Sequence, residues 1–304
     1  MSIELRLSDV DPPASEPKRT IYRDIVNLPS TVKLGLTIRY FNHDDVDLYF
    51  QITGSGTGYT FGTVNLGLLA SGANAYINLD ELASRAKPSA SDLPNGEKEE
   101  NITLILKGYT DGGYTNLKWT YERIVTVHWI NSADAAFTVD EVDNFDDGTA
   151  QGWAAENIAN NDTGFPTLAI ATDYVLSTPY SIKMTSQGPL ATAQVESRIK
   201  KDFTTPNKSK VFAIFDVRAS GNAIDSPLEN LQIRKDASPL VSLGIPNATT
   251  TGHKFPSDRW IRIVVPLPAN TTLTLDVYLL FRDTQPSIKT VAYAWMDDFK
   301  IISK

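Results

Sequence analysis

The sequence contains no cysteine, and only three of its 304 residues are histidine. The absence of cysteine excludes disulfides, thiol catalysis and thiolate metal sites. The histidines, His43, His128 and His253, are accompanied by no Gly-x-Ser-x-Gly sequence, so nucleophilic catalysis by a triad has little support. We therefore expect no enzyme activity.

The sequence also lacks a basic run and a long apolar run. Its formal net charge is −8 and its pI is near 5.0, which argues against nucleic acid or an anionic membrane as the main partner. No stretch approaches the ~18 apolar residues of a membrane span. The first eight residues have neither a basic nor an apolar region of the signal-peptide type, so no secretory signal is expected.

What the sequence does contain is strand alternation. Val32, Leu34, Leu36 and Ile38 alternate with polar residues or glycine, as in a half-buried strand, and similar patterns recur along the chain. Residues 81–86 are the one stretch for which we predict a short helix, ended by Pro88. This pattern predicts an all-β protein, and 304 residues are enough for two domains with separate cores.

Composition divides the chain into four segments. Residues 1–30 contain four prolines among mixed charges, which is typical of an arm, and residues 132–143 are interpreted as a linker. Residues 31–131 hold about seven predicted strands and fit an immunoglobulin-like (Ig-like) β-sandwich. Residues 144–304 hold about eight, the number found in a jelly-roll β-sandwich. The sequence thus predicts an Ig-like sandwich followed by a jelly roll.

Two motifs carry a resemblance to known families. Residues 144–153 read Asn-Phe-Asp-Asp-Gly-Thr-Ala-Gln-Gly-Trp, and residues 294–302 read Ala-Trp-Met-Asp-Asp-Phe-Lys-Ile-Ile, with Ser-Ile-Lys-Met at 181–184 between them. Together they resemble the jelly-roll carbohydrate-binding modules of the galactose-binding-like superfamily, over roughly residues 141–303. In the first half, the Leu66-Gly67 and Ser71-Gly72 pairs resemble Ig-like adhesion domains of prokaryotic surface proteins.

Asp146 and Asp147 in the first motif, and Asp297 and Asp298 in the second, are candidate metal ligands. The first and last strands of a jelly roll are neighbours, so these carboxylates can meet at one rim, and hard oxygen ligands suit Ca²⁺. The resemblance implies the same, because many related modules hold a structural calcium there. Two alternatives stay open: the acids are solvated turn residues, or they are a catalytic pair of the glycoside-hydrolase type.

The resemblance also implies sugar recognition, in which aromatic rings lie against pyranose faces and planar polar groups add hydrogen bonds. Trp153 and Trp295 lie in the motifs and are predicted to be core. The candidates for ring contacts are Trp260, Tyr278, Tyr293, Phe281 and Tyr174. The candidates for hydrogen bonds are Gln232, Arg234 and Arg262.

Two functions fit these features. The first is a non-enzymatic virion protein, of the decoration, fibre or minor capsid type, whose N-terminal arm binds a neighbouring subunit and whose jelly roll binds glycans. The alternative is a cellular secreted adhesin, or a glycan-binding accessory module of a polysaccharide-active protein. Both place the protein on a virion surface or outside the cell, without nucleic-acid binding or membrane insertion.

Overall fold

The computed structural model describes residues 19–177, 179–188, 193–221, 228–242, 260–283 and 291–304. The chain forms two compact units, Met1–Asp134 and Ala135–Lys304, and this boundary lies inside the predicted linker. The all-β prediction is confirmed: the described residues form strands and two short 3₁₀ turns, Ala90–Asp92 and Pro94–Gly96, and include no α-helix. Whether the first unit is Ig-like in topology stays a prediction.

The first unit contains two sheets. Its strands are β1 (Arg19–Asp24), β2 (Thr31–Phe41), β3 (Leu48–Ser55), β4 (Tyr59–Phe61), β5 (Val64–Leu69), β6 (Asn74–Ala86), β7 (Glu97–Tyr109) and β8 (Leu117–Ile130). One sheet has the order β1-β8-β7-β3-β5, and the other has the order β2-β6-β4. Alternate residues such as Leu48, Phe50 and Ile52 are fully buried in the core of the unit, as expected for strands with one apolar face.

The predicted arm is too long. Residues 19–24 form β1, which pairs in parallel with the last strand of the unit, and Ile21 is fully buried in the core. The Asp24 carboxylate fixes the end of this strand, since it accepts hydrogen bonds from the Ser132 backbone N–H at 3.1 Å and from its hydroxyl at 2.8 Å. Residues 1–18, including the Leu5–Leu7 edge strand suggested by the sequence, lie outside the described residues.

The predicted helix at 81–86 is wrong, because strand β6 continues through Ala86. Ala83 is opposite Leu34 on one side and Phe61 on the other, so this stretch is hydrogen-bonded to β2 and to β4. Leu82 and Ala83 are both buried. Pairing on two edges and burial outweigh the small intrinsic preference of alanine, leucine and glutamate for a helix.

The second unit is also a two-sheet sandwich. Its strands are β9 (Thr138–Asp143), β10 (Ala154–Ala159), β11 (Thr167–Ala171), β12 (Ser181–Gln187), β13 (Ala193–Thr204), β14 (Val211–Gly221), β15 (Leu228–Lys235), β16 (Ser238–Ser242), β17 (Ile261–Leu267), β18 (Thr272–Asp283) and β19 (Val291–Ser303). One sheet has the order β10-β13-β18-β15-β16 and is called the front sheet here. The other, the back sheet, has the order β11-β12-β19-β14-β17, with β9 also paired to β19.

Strand β9 shortens the predicted linker, because residues 138–143 belong to the back sheet. It pairs with the C-terminal half of β19, from Phe299 to Ser303, while β12 pairs with the N-terminal half. The motif at 144–153 therefore begins where β9 ends, beside the last strand. This places the two ends of the unit next to each other, as the jelly-roll prediction required.

The motif contributes its aromatic residues to the core. Phe145 is fully buried and Trp153 is nearly so, with the Trp153 ring 5.0 Å from that of Phe299. The Trp153 indole N–H donates to Asp143 at 2.9 Å, which satisfies its one polar atom. The prediction that Trp153 is a core residue is confirmed.

Candidate functional site

The structure brings together only two of the five principal ligand candidates. Arg234 and Tyr278 lie on the outer face of the front sheet, because their neighbours Ile233, Val277 and Leu279 point into the core. Tyr293 and Arg262 lie on the outer face of the back sheet. Trp260 lies immediately before β17 and is partly buried.

The outer face of the front sheet is built around Asp276, whose side chain is fully buried. Arg234 is its cross-strand partner and donates from Nε at 2.7 Å and from Nη2 at 3.2 Å. Arg198, on the opposite side, donates from Nη1 at 3.1 Å. Two guanidinium groups on separate strands are therefore fixed by one carboxylate, and the Arg234 pair has the bidentate geometry that makes such pairs strong.

The same arrangement continues to the edge of the sheet. Arg198 Nε donates to Glu156 on β10 at 2.8 Å, and Lys200 Nζ lies 2.7 Å from the same carboxylate oxygen. These hydrogen bonds, that from Lys200 first, hold the pKa of Glu156 below its usual value. Glu156, Arg198, Asp276 and Arg234 thus form a row of alternating charge across four strands, and we call this row the charge ladder.

Tyr278 lies under the charge ladder. The Arg234 guanidinium carbon is 3.9 Å from the centroid of the Tyr278 ring, and only 6% of Tyr278 is exposed. Burial, with a hydrogen bond to Glu196, raises the pKa of Tyr278 well above its usual value. The prediction of Tyr278 as an exposed ring platform is therefore wrong: its accessible face is covered by Arg234, which it supports. The partly buried Gln232 is opposite Tyr278 on the same face.

Sequence reasoning missed three members of the charge ladder: Glu156, Arg198 and Asp276. A signal was present in β13, where charged or amide residues occupy every second position from 194 to 202 between core residues such as Val195 and Ile199. That pattern indicates a strand with a wholly polar outer face. The sequence does not reveal which charges are neighbours, since cross-strand register is set by the fold.

The other face of the unit, outside the back sheet, carries a cluster of aromatic and cationic residues. Trp295 is 2% exposed, so the prediction that it is buried is confirmed, although it lies on this outer face and not in the main hydrophobic cluster of the unit. The Tyr174 ring is 5.0 Å from that of Trp295 and is 42% exposed. Arg218 stacks on Tyr174 at 3.8 Å, and Lys183 is 4.6 Å from the ring centroid of Tyr293.

Arg262 lies elsewhere on this back face and forms an ion pair. Its Nη2 is 2.6 Å and its Nε is 3.0 Å from Oδ2 of Asp216. The Asp216 side chain is 4% exposed. Burial raises the pKa of Asp216, although Arg262 acts in the opposite direction. Phe281, which the sequence analysis also suggested for ring contacts, lies in the core and cannot contact a ligand.

The acidic pair of the first motif is satisfied within its own turn. Asp146 accepts a hydrogen bond from the side-chain amide of Asn144 at 2.7 Å. Asp147 accepts from the backbone N–H and hydroxyl of Thr149 at 2.9 and 2.8 Å, and these bonds lower its pKa. Both residues are exposed. They behave as turn residues, which was one of the alternatives that the sequence left open.

The acidic pair of the last strand is satisfied separately. Asp297 is fully buried and accepts hydrogen bonds from the backbone N–H groups of Leu176, Ser177 and Asp298 and from the Ser177 hydroxyl, at 2.8 to 3.1 Å. Four donors leave little room for a cation on this carboxylate. Asp298 lies 3.8 Å from Arg262.

The four carboxylates do not fit a calcium site of the expected kind. Ca²⁺ takes six to eight oxygen ligands, whereas Asp146, Asp147 and Asp297 accept hydrogen bonds from protein donors and Asp298 lies beside the Arg262 cation. Among the residues that the structure describes, no group of three or more histidine, aspartate or glutamate side chains is placed to hold a metal ion.

Comparison with known proteins gives similarity of fold only. No family model and no curated protein matches the sequence. The CBM22-1 xylan-binding domain of Paenibacillus barcinonensis Xyn10C is 17% identical, over 54% of this chain and 93% of that one, with a TM-score of 0.30. The mannan-recognising carbohydrate-binding module TmCBM27 is 12% identical, over 55% and 98%, with a TM-score of 0.34.

A third similar structure is the K1 cleaved adhesin domain of Lys-gingipain from Porphyromonas gingivalis W83. It is 13% identical, over 55% of this chain and 99% of that one, with a TM-score of 0.33. Similarity at these levels does not transfer a ligand or an activity. In the described part of the chain, no helix is long and apolar enough to cross a membrane. The resemblance to carbohydrate-binding modules that the sequence suggested is thus also found among solved structures.

Proposed function

We propose that this chain is a non-catalytic surface protein whose second unit binds a glycan on the outer face of its front sheet. The observation that carries the proposal is the charge ladder, in which Asp276 fixes Arg234 and Arg198 on the strands to either side of it. Gln232 adds a third planar polar group to the same face. The face is therefore rigid and rich in directional hydrogen-bonding groups.

Such a face suits a sugar for a physical reason. A glycan presents neighbouring hydroxyl groups, and planar guanidinium and amide groups can bond two of them at once. Since Arg234 is stacked on Tyr278 and paired with Asp276, its side chain is ordered before the ligand arrives, which reduces the entropy cost of binding. The apolar face of a sugar ring can lie against the aliphatic parts of Arg234 and Arg198.

The same contacts argue for binding rather than hydrolysis. A glycosidase needs one carboxylic acid whose raised pKa keeps it protonated. The pKa of Glu156 is lowered by Lys200 and Arg198, so it is a poor proton donor. Asp276 accepts three hydrogen bonds from two arginines, and its oxygens are directed at cations rather than at a bond to be cleaved.

The test begins with a panel of plant, bacterial and animal polysaccharides, screened with the full chain and followed by titration calorimetry on any ligand found. Arg234→Met and Gln232→Ala should each weaken binding at least about tenfold, which corresponds to the loss of one charge-assisted or buried hydrogen bond. The matched control is Arg262→Met, which breaks a similar arginine–aspartate pair on the back face.

Arg262→Met should leave the affinity unchanged. If it weakens binding as much as Arg234→Met does, the ligand does not lie on the charge ladder. If no polysaccharide in the panel binds and none is hydrolysed, the glycan proposal fails. Turnover of a polysaccharide would contradict its non-catalytic part.

The place where this surface protein acts stays a prediction. A virion protein of the decoration, fibre or minor capsid type is proposed first, and a secreted adhesin or accessory module second. The genes beside this one separate the two: capsid and portal genes support the virion, and genes for polysaccharide hydrolases support the alternative. Incorporation of the tagged chain into purified particles would test the first directly.

A further inference from the structure

The outer face of the five-stranded sheet in the first unit carries three tyrosines in contact with one another, where β7 and β8 form a hairpin. Tyr49 lies on this face because its neighbours Leu48 and Phe50 are buried in the core, and Tyr109 is opposite it on β7. Tyr114 comes from the hairpin loop, and its ring lies 6.1 Å from that of Tyr49 and 5.6 Å from that of Tyr109. Both pairs are edge-on, at 77° and 81°, which is a favourable aromatic arrangement.

Two side-chain amides extend this group on the same face. Gln51 follows Tyr49 by two residues on β3, so both point to the same side of the sheet. The Gln51 oxygen accepts a hydrogen bond from the Tyr109 hydroxyl at 3.3 Å, and its Nε2 donates to Oδ1 of Asn65, on β5, at 2.8 Å. We call Tyr49, Tyr109, Tyr114, Gln51 and Asn65 the tyrosine cluster.

The backbone around the tyrosine cluster departs from regular strand geometry in two places. The pairing of β3 with β5 shifts register between Phe50 and Gln51, which leaves an extra residue in β5 beside Gly67, and Gly67 has a φ of +83°. The Gly67 N–H donates to the Tyr114 hydroxyl oxygen at 3.3 Å. Tyr114 itself has a φ of +54°, which a bulky side chain rarely adopts. Bulges and strained residues are concentrated where proteins aim side chains at a ligand.

The loop that carries Tyr114 is fixed by Asp111. The Asp111 carboxylate accepts hydrogen bonds from four donors of the loop at 2.6 to 3.2 Å, namely three backbone N–H groups and the Thr115 hydroxyl. A Cβ at Gly112 would lie 3.2 Å from the Tyr49 ring, so the loop packs directly against that ring. The cluster is therefore ordered without a ligand, which reduces the entropy cost of binding one.

The tyrosine cluster presents hydrogen-bonding groups that the protein does not use. The side-chain N–H groups of Asn65 have no acceptor among the residues that the structure describes, since only its oxygen is bonded. In the same part of the chain the Tyr49 hydroxyl has no hydrogen-bond partner. The Tyr114 hydroxyl accepts from Gly67 and still has its own hydrogen to donate. Asn65 is exposed, and Tyr49 and Tyr114 are partly exposed, so a ligand can reach these groups.

We propose that the tyrosine cluster is a second glycan site and that it takes an uncharged sugar. Its five side chains carry no charge. The exposed parts of the rings, with Leu68, which is opposite Tyr49 and 54% exposed, offer apolar surface to the C–H face of a sugar ring. Gln51 and Asn65 offer planar amides to its hydroxyl groups. The site does not depend on the charge ladder, and it lies in the other unit.

The experiment follows the side-chain amide signals of Asn65 and Gln51 in ¹H–¹⁵N spectra of the full chain while a sugar is added. The neutral probes are the tetrasaccharides of glucose, mannose, xylose and N-acetylglucosamine. The acidic probe is tetragalacturonate, because Lys107 is opposite Gln51 and could select an acidic sugar instead. At least one neutral probe should move both signals, and it should do so equally in the Arg234→Met variant, in which the charge ladder is broken.

Affinities of variants made in the Arg234→Met chain complete the test. Asn65→Ala and Gln51→Ala should each weaken binding of that probe at least about tenfold. The matched control is Asn101→Ala, since Asn101 is an exposed amide on the same face of β7, bonded to Thr126 at 3.0 Å and distant from Tyr109 along the strand. It should leave the affinity unchanged.

The proposal is overturned if no neutral probe moves the Asn65 and Gln51 signals. It is also overturned if Asn65→Ala and Gln51→Ala bind the probe as tightly as Asn101→Ala does. Movement of the two signals by tetragalacturonate alone would contradict the uncharged class of the sugar. Movement that disappears in Arg234→Met would place the ligand on the charge ladder instead.

Discussion

The two units place their charged networks on opposite sides of their sheets. In the first unit, Glu100 and Arg85 lie between the sheets and share hydrogen bonds with Tyr59 and Trp129. In the second, the core is apolar and the charge ladder lies on the outer face. An inner network ties two sheets together, whereas an outer network orders a surface. We therefore assign a structural role to the inner network of the first unit and a binding role to the outer network of the second.

The largest effect should come from breaking the inner network. Glu100→Gln leaves Arg85 without its carboxylate, and removing one partner of a buried pair costs about 3–5 kcal/mol. Both side chains are nearly buried, with 14% and 12% exposed. We expect a loss of about 3 kcal/mol or more in the unfolding free energy of the first unit, measured by urea titration of the full chain. Lys98, whose side chain is more exposed, lies 3.1 Å from a Glu100 oxygen, and Lys98→Gln should cost under about 1 kcal/mol.

The structural role of the inner network would be contradicted if Glu100→Gln lowered the unfolding free energy by less than about 1 kcal/mol and Lys98→Gln lowered it by the same amount. The inner network would then be no more structural than a surface ion pair.

Removing one arginine of the charge ladder should lower the unfolding free energy by less than Glu100→Gln does. Arg234→Met leaves Asp276 with its bond from Arg198, so one partner remains, and the expected loss is about 1–3 kcal/mol in the second unit. Calorimetry of the full chain should show the melting of the second unit lowered and that of the first unit unchanged. A loss as large as that of Glu100→Gln would show that the charge ladder is primarily a structural element.

A smaller effect concerns pH on the back face. Burial raises the pKa of Asp216 in the folded protein. The stability that Asp216 gains from this shift is therefore fully present below its pKa in the unfolded chain and is lost as the pH rises through its pKa in the folded protein. The stability of the wild type relative to Asp216→Asn should therefore increase as the pH is lowered from 7 towards 4. Urea titrations at several pH values measure this difference, and the opposite slope would contradict the assigned shift.

The smallest expected effect is that of a chelator. Because Asp147 and Asp297 are bonded to protein donors, EDTA should not change the melting temperature of the second unit. A calcium site filled to a hundred times its dissociation constant would contribute about 2.7 kcal/mol, a shift of several degrees. A shift of that size, lost in Asp297→Asn, would restore the calcium site predicted from the sequence.

Strand alternation was enough to predict the all-β architecture. The two motifs were enough to predict that the two ends of the second unit are neighbours. Local patterns failed where pairing between distant segments decides the structure. Residues 81–86 have helix-forming composition but are paired on both sides by β2 and β4. Residues 19–24 look like an arm but complete a sheet beside β8, which follows about a hundred residues later.

The candidate site was predictable only in part, for the same reason. Arg234, Gln232 and Tyr278 were recognisable as planar groups on strands, but their partners were not, because Asp276 meets Arg198 only through the register of β13 with β18. The exposure of Tyr278 was misjudged, since alternation shows that a residue points outward but not that Arg234 covers it.

The most direct test of the glycan face is hydrogen exchange of the full chain with and without a bound polysaccharide. Protection should increase in β13, β15 and β18, which carry Arg198, Arg234 and Tyr278, and should be unchanged in β12, β14 and β19. Protection confined to those three back-sheet strands, or to the first unit, would contradict the assignment of the charge ladder as the binding surface.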